Sequence, residues 1–101
     1  MNAASAYRSL EDARTDLEQA EYVLLRAAGW RTVYGWGLSP TLRELAVLLG
    51  VPWRRILELH DVAAEHGLVD PDDVTWLPTI KGRRSILEQC RPLAVPVVPW
   101  T

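Results

Sequence analysis

Apolar residues recur along the chain at helical spacing, and the places where that spacing breaks mark the ends of the predicted elements. Leu10, Ala13, Leu17, Ala20, Leu24 and Ala27 follow alternating three- and four-residue steps, which predicts a long first helix from about Ser9. Glu11, Asp12, Asp16, Glu18 and Glu21 fall off that stripe and form a solvated acidic face. The narrow stripe also suits a seam with a second copy of the chain. Packing within the chain is the expectation, because one domain needs a third helix to close its core.

Leu42, Leu45, Ala46 and Leu49 predict a second helix. Thr41-x-x-Glu44 is a capping box at its start, in which each side chain satisfies a backbone N–H, with Ser39 and Pro40 suited to the same entry. Gly50 supplies a left-handed stop and Val51-Pro52 turns the chain. A third helix follows from about Trp53, with Trp53, Ile56, Leu57, His60, Ala63 and Ala64 as its inner stripe and Gly67 as its stop. Arg54, Arg55, Glu58, Asp61, Val62 and Glu65 then point outward.

Past Gly67 the pattern changes. Leu68-Val69 and Val74-Thr75-Trp76-Leu77 are expected as two short strands joined by Asp70-Pro71-Asp72-Asp73, with Asp and Pro where a type I turn favours them. A last helix is expected from Thr79, either continuous to Cys90 or restarting at a second capping box, Ser85-x-x-Glu88. Ile80, Leu87 and Cys90 face inward in this reading, and Pro92 ends the helix. The predicted fold is mainly α with a small β-hairpin: a three-helix core, a two-stranded wing and a C-terminal helix within residues 1–92. Residues 93–101, LAVPVVPWT, form a proline-rich apolar tail, expected as an edge strand or as an extended arm in an apolar groove, of this chain or of a second copy.

Residues 29–38, GWRTVYGWGL, fit neither pattern. Trp30, Val33, Tyr34 and Trp36 are expected to cap one end of the core, as aromatics are usually buried. The alternative is an exposed patch for a partner.

Two helices joined by a tight turn, the second with a charged start, make a helix-turn-helix. The run Ser39-Pro40-Thr41-Leu42-Arg43-Glu44-Leu45-Ala46, then Leu49-Gly50-Val51, then Glu65-His66-Gly67-Leu68-Val69 resembles the winged helix-turn-helix of the LexA repressor's N-terminal domain. Trp76-Leu77-Pro78-Thr79-Ile80-Lys81-Gly82-Arg83 is similar to the run that follows the wing in MarR-type regulators. Together these cover about residues 39–84. The resemblance implies a winged-helix DNA-binding domain. In DNA-binding relatives the wing tip carries Arg or Lys, whereas three aspartates stand at the turn here.

At 101 residues the chain is one domain able to bury a real core. No apolar run reaches membrane-spanning length, the N-terminus is too charged for a signal peptide, and a lone Cys90 excludes an internal disulfide. A cytoplasmic protein is therefore expected. Ten of its eleven basic residues are Arg, in keeping with GC-rich coding and a phage or bacterial origin. The net charge of −2 hides strong segregation: residues 1–21 carry −3, 22–56 carry +4, 57–73 carry −6 and 74–101 carry +3. For a partner as charged as duplex DNA, that distribution matters more than the sum.

No catalytic or cofactor pattern accompanies these charges. His60 and His66 do not share a helix face, Cys90 is remote from both, and no phosphate loop or nucleophile elbow is present. His60 is expected as a core histidine. The chain is thus expected to bind rather than catalyse, without cofactor or metal. As a small transcriptional regulator it would read double-stranded DNA with Arg54 and Arg55 at the tip of the second motif helix. Thr41, Arg43 and the cluster Lys81, Arg83 and Arg84 would contact the phosphate backbone. The alternative is a winged-helix scaffold that binds a basic protein through Glu58, Asp61, Asp70, Asp72 and Asp73.

Overall fold

Thr15 starts the first helix by a capping box: its hydroxyl accepts from Glu18 N and the Glu18 carboxylate accepts from Thr15 N, each at 3.0 Å. The structure, a computed structural model, describes residues 13–94, with side chains described through residue 90. Among these residues the element order is α1 (Asp16–Tyr34), α2 (Leu42–Leu49), α3 (Trp53–Glu65) and α4 (Ile80–Ala94). Helix α1 begins at Asp16, with Ala13 and Arg14 outside it, whereas the start expected at Ser9 lies outside the described residues. The stripe position Leu10 lies outside the described residues. Ala13 is buried before the helix begins.

The centre of the fold is α1, which packs against all three other helices. Ala20, Val23, Leu24 and Ala27 are fully buried on it, and the small alanines let neighbouring backbones approach. Leu45 from α2 and Ile56, Leu59 and Ala63 from α3 complete the main cluster, joined by Leu68, Val69 and Trp76. The inner stripe of α3 is thus Ile56, Leu59, His60 and Ala63. Trp53, expected on it, is 41% exposed, while Leu59 was not expected there and is fully buried.

The expected wing is not formed: no β-strand occurs among the described residues. A single antiparallel bridge joins Val69 to Pro78, and the segment between is an irregular loop. The reason is competition for its carbonyl groups. Arg31 from α1 donates through Nη1 to Trp76 O at 3.0 Å and through Nη2 to Thr75 O at 2.5 Å. From α3, His60 Nε2 lies 2.7 Å from Asp73 O. Trp76 is fully buried with φ +62°, a left-handed conformation that no strand residue adopts, and its ring meets His60 edge-on at 5.3 Å. His60 is accordingly a core histidine.

The same loop has its own acid switch. Asp73 Oδ1 accepts from both the N–H and the hydroxyl of Thr75. Those bonds, with the charges of Arg31 and His60 adding to them, hold its carboxyl below the usual range against the opposing effect of burial. A depressed folded pKa stabilises the fold above the unfolded value, about 3.9, and the benefit is lost as pH falls through the folded one. Asp73→Asn is expected to lower stability at neutral pH, and the difference from the parent should vanish as acid is added. Denaturant titrations across that range measure it, and a gap that persists in acid would exclude the ionised carboxylate as its source.

In α4 the inward face is set by small residues. Gly82 and Ser85 are buried, Ile86 and Gln89 half-buried, and the Ser85 hydroxyl donates to Glu21 Oε2 at 3.0 Å. The helix is continuous, so Ser85 is not a cap. Ile80 (74% exposed) and Leu87 (68% exposed) face outward, contrary to expectation, and only Cys90 of the predicted stripe is partly covered. The helix also runs through Pro92 to Ala94, two residues beyond the expected domain boundary.

Candidate nucleic-acid interface

The two helices and turn that carry the predicted interface form as expected. Thr41 caps α2, its hydroxyl accepting from Glu44 N at 3.0 Å while Glu44 Oε1 accepts from Thr41 N at 2.9 Å. Gly50 closes the helix in the left-handed region at φ +70°, with its N–H donating to Ala46 O at 2.8 Å. Pro52 then precedes α3 and offers no side-chain cap. The first turn of α3 holds no acid, so its positive helix end carries only Arg54 and Arg55 as charges.

The two arginines do different things. Arg54 is exposed, its guanidinium 5.5 Å from the centre of the Trp53 ring. Arg55 turns toward α1. Its Nη2 donates to Asp16 Oδ1 at 2.8 Å and to Gln19 Oε1 at 2.7 Å, and Nη1 donates to Glu58 Oε1 at 3.2 Å. The bond to Asp16 is the main cause of its raised pKa. Arg55 thus joins α3 to α1, and the outward placement expected for it is corrected.

The remaining cations are spread over different surfaces. Arg43 is exposed on α2 and lines a shallow groove of about 550 Å³ with Val47, Gly50, Pro52 and Trp53. Lys81 lies at the opposite end of α3: its aliphatic chain passes Gly67, with Cδ 3.7 Å from where a Cβ there would stand. At 1.5 Å per residue the 13 residues of α3 separate Arg54 from that end by about 20 Å. Arg83 lines a cleft between α1 and α4 beside Trp36. Arg84 is exposed on α4. Of the seven expected DNA contacts, Thr41, Arg43 and Arg54 belong to α2 and the start of α3, whereas Lys81, Arg83 and Arg84 do not form one cluster with them.

The predicted acidic ridge is largely occupied by local bonds. Glu58 pairs with Arg55, Asp70 Oδ1 accepts from Asp72 N at 2.9 Å, and Asp73 holds Thr75. Asp61 and Asp72 are exposed.

The aromatic stretch supplies a surface instead of a core cap. Helix α1 carries Gly29 in its interior and runs on to Tyr34, leaving Val33 (75% exposed), Tyr34 and Trp36 outside. Trp30 stacks at a tilt on Tyr34, their centroids 4.8 Å apart, and with Val33, Val47 and Leu48 they line a groove of about 590 Å³ between α1 and α2. Arg26 and Arg43 also line it.

Arg31 is the residue that sequence reasoning missed. Extending the Ala20, Leu24, Ala27 stripe by one further step lands on it, once Gly29 is allowed inside the helix. It is fully buried, and burial lowers its pKa despite the nearby Asp73. Among the described residues no helix is long and apolar enough to cross a membrane, and no cluster of metal-ligating side chains occurs. Compared with known proteins, the chain matches no family model, no curated protein and no solved structure.

Proposed function

We propose that the chain is a small DNA-binding transcriptional regulator whose α2–turn–α3 unit acts as a helix-turn-helix. Arg54 is its base-reading residue. The observation that carries this reading is the uncapped, acid-free start of α3 with Arg54 exposed at it. A helix N-terminus of this kind enters a major groove, where an arginine pairs with guanine O6 and N7. Arg43 and the capped start of α2, including the Thr41 hydroxyl, would then meet the phosphate backbone. With the wing replaced by an aspartate-bearing loop, contact outside α2 and α3 falls to Lys81, beyond the far end of α3.

Arg54→Ala is expected to weaken sequence-specific duplex binding by about 1–3 kcal/mol and to relax the preference at one base pair. Arg55→Ala should leave that preference intact and lower thermal stability by no more than about 1 kcal/mol, since its side chain is 31% exposed. Fluorescence anisotropy on a selected duplex, together with thermal melts, measures both. Loss of base preference in the Arg55 variant and not in the Arg54 variant would overturn the assignment.

A second reading, a protein-binding module, is favoured by the groove of Trp30, Val33, Tyr34, Val47 and Leu48. In that reading the groove replaces the acidic ridge as the docking face. Val33→Asp, on the α1 side of the groove, would then abolish partner capture while leaving the fold intact.

A further inference from the structure

Trp53 opens α3 and takes no part in the buried cluster. It is 41% exposed, a large apolar side chain left in water at the helix start that carries Arg54. The Arg54 guanidinium lies 5.5 Å from the centre of its ring, and Trp53 also lines, with Arg43, the shallow groove beside the α2–α3 turn. Among the described residues no carboxylate forms an ion pair with Arg54, in contrast to Arg55, so contact with the indole is what steadies its guanidinium before a partner arrives.

We propose that Trp53 is a second specificity residue of this interface. It orients Arg54, and its ring covers the C5-methyl group of a pyrimidine, thymine or 5-methylcytosine, within two base pairs of the guanine that Arg54 reads. The inference rests on the DNA reading given above.

Base pairs stack at about 3.4 Å, so a ring centred 5.5 Å from a guanidinium on one guanine reaches no further than two steps along the duplex. Within that reach, base edges in the major groove offer hydrogen-bond donors and acceptors, and the pyrimidine methyl is the apolar group among them. An indole is largely apolar surface, and its exposed part is best covered by that methyl. Tryptophan also brings a large rigid area with little conformational entropy to lose, which is why it recurs at the centres of binding sites.

The test uses the intact chain and the duplex motif selected on it. Each thymine within two base pairs of the guanine is replaced singly by uracil, which removes only the methyl group, and each cytosine there by 5-methylcytosine, which adds it. At one position uracil is expected to weaken binding about four-fold, or 5-methylcytosine to strengthen it about four-fold. In Trp53→Ala the affinity for the parent motif is expected to fall about ten-fold, and the methyl effect at that position to vanish. If Trp53→Ala does not fold, Trp53→Phe takes its place, with a smaller methyl effect expected. Equal affinities with and without the methyl at every such position would overturn the proposal, and that comparison needs no variant. A methyl effect undiminished in the Trp53 variant would assign it to another side chain and overturn it as well. A selection that enriches no motif removes the DNA reading and this inference together. A guanine preference that is lost in Arg54→Ala, with no methyl effect anywhere, removes this inference alone.

Discussion

Arg31→Met should cost about 3–5 kcal/mol of folding stability, the largest effect expected from any single side chain outside the apolar cluster. The guanidinium is fully buried and holds two loop carbonyls, Thr75 O and Trp76 O, that have no strand partner. Methionine fills much of the same volume but donates nothing, so both carbonyls would lose the bonds that Arg31 now supplies. For a domain of this size total stability is about 5–15 kcal/mol, so the loss takes a large share, equivalent to a fall in Tm of roughly 15 °C or more. Arg31→Lys should also be strongly destabilising, because one ammonium group cannot reproduce the planar fork that reaches two carbonyls. Denaturant titration of the three proteins measures this. A loss below about 1 kcal/mol for Arg31→Met would mean that the loop is held by Trp76 packing alone.

Gly82→Ala is expected to be nearly as severe, at about 3 kcal/mol, for a steric reason. A Cβ at this position would stand 2.1 Å from Leu68 O and 3.0 Å from Pro78 Cβ. The obstacle is backbone, which no rotamer change can move. To relieve it α4 must lift from the Leu68–Val69 segment, weakening the Thr79 N–Leu68 O bond and the Val69–Pro78 bridge. Gly29→Ala provides the control. That glycine is also in a helix, but nothing lies within 4 Å of its added Cβ, so the change should stabilise by about 0.5–1 kcal/mol. Equal effects at the two positions would show that helix propensity, and not the contact with Leu68, governs both.

These two residues also mark where sequence patterning stopped being informative. The Thr41–Glu44 capping box, the Gly50 stop and the buried Ile56, His60 and Ala63 were legible because each depends on neighbours within one or two helical turns. The failures are non-local. Val74–Leu77 was expected as a strand because a turn sequence joins it to Leu68-Val69, yet Arg31, more than forty residues earlier, captures its carbonyls and Trp76 adopts a left-handed conformation. The phase of α4 was misread because apolar residues were taken as its inner face, whereas close approach to Leu68 selects Gly82, and packing on α1 selects Ser85, which donates to Glu21.

The site shows the same division. That Arg54 and Arg55 fall in the first turn of α3 could be read from spacing, but which of them stays outward depends on Asp16 and Gln19 in a different helix. The pairing of Arg55 with Glu58 was readable, since the two are three residues apart. The exposure of Val33, Tyr34 and Trp36 was not, because α1 continues through Gly29 and carries them past the edge of the core.

The most direct measurement is a selection of random duplexes on the intact chain at low and at near-physiological salt, repeated with Arg54→Ala. The account predicts an enriched motif containing a guanine-bearing base pair whose preference is lost in the variant, and an affinity that falls as salt rises. A pool that remains random at low salt, or a motif unchanged by Arg54→Ala, would contradict it.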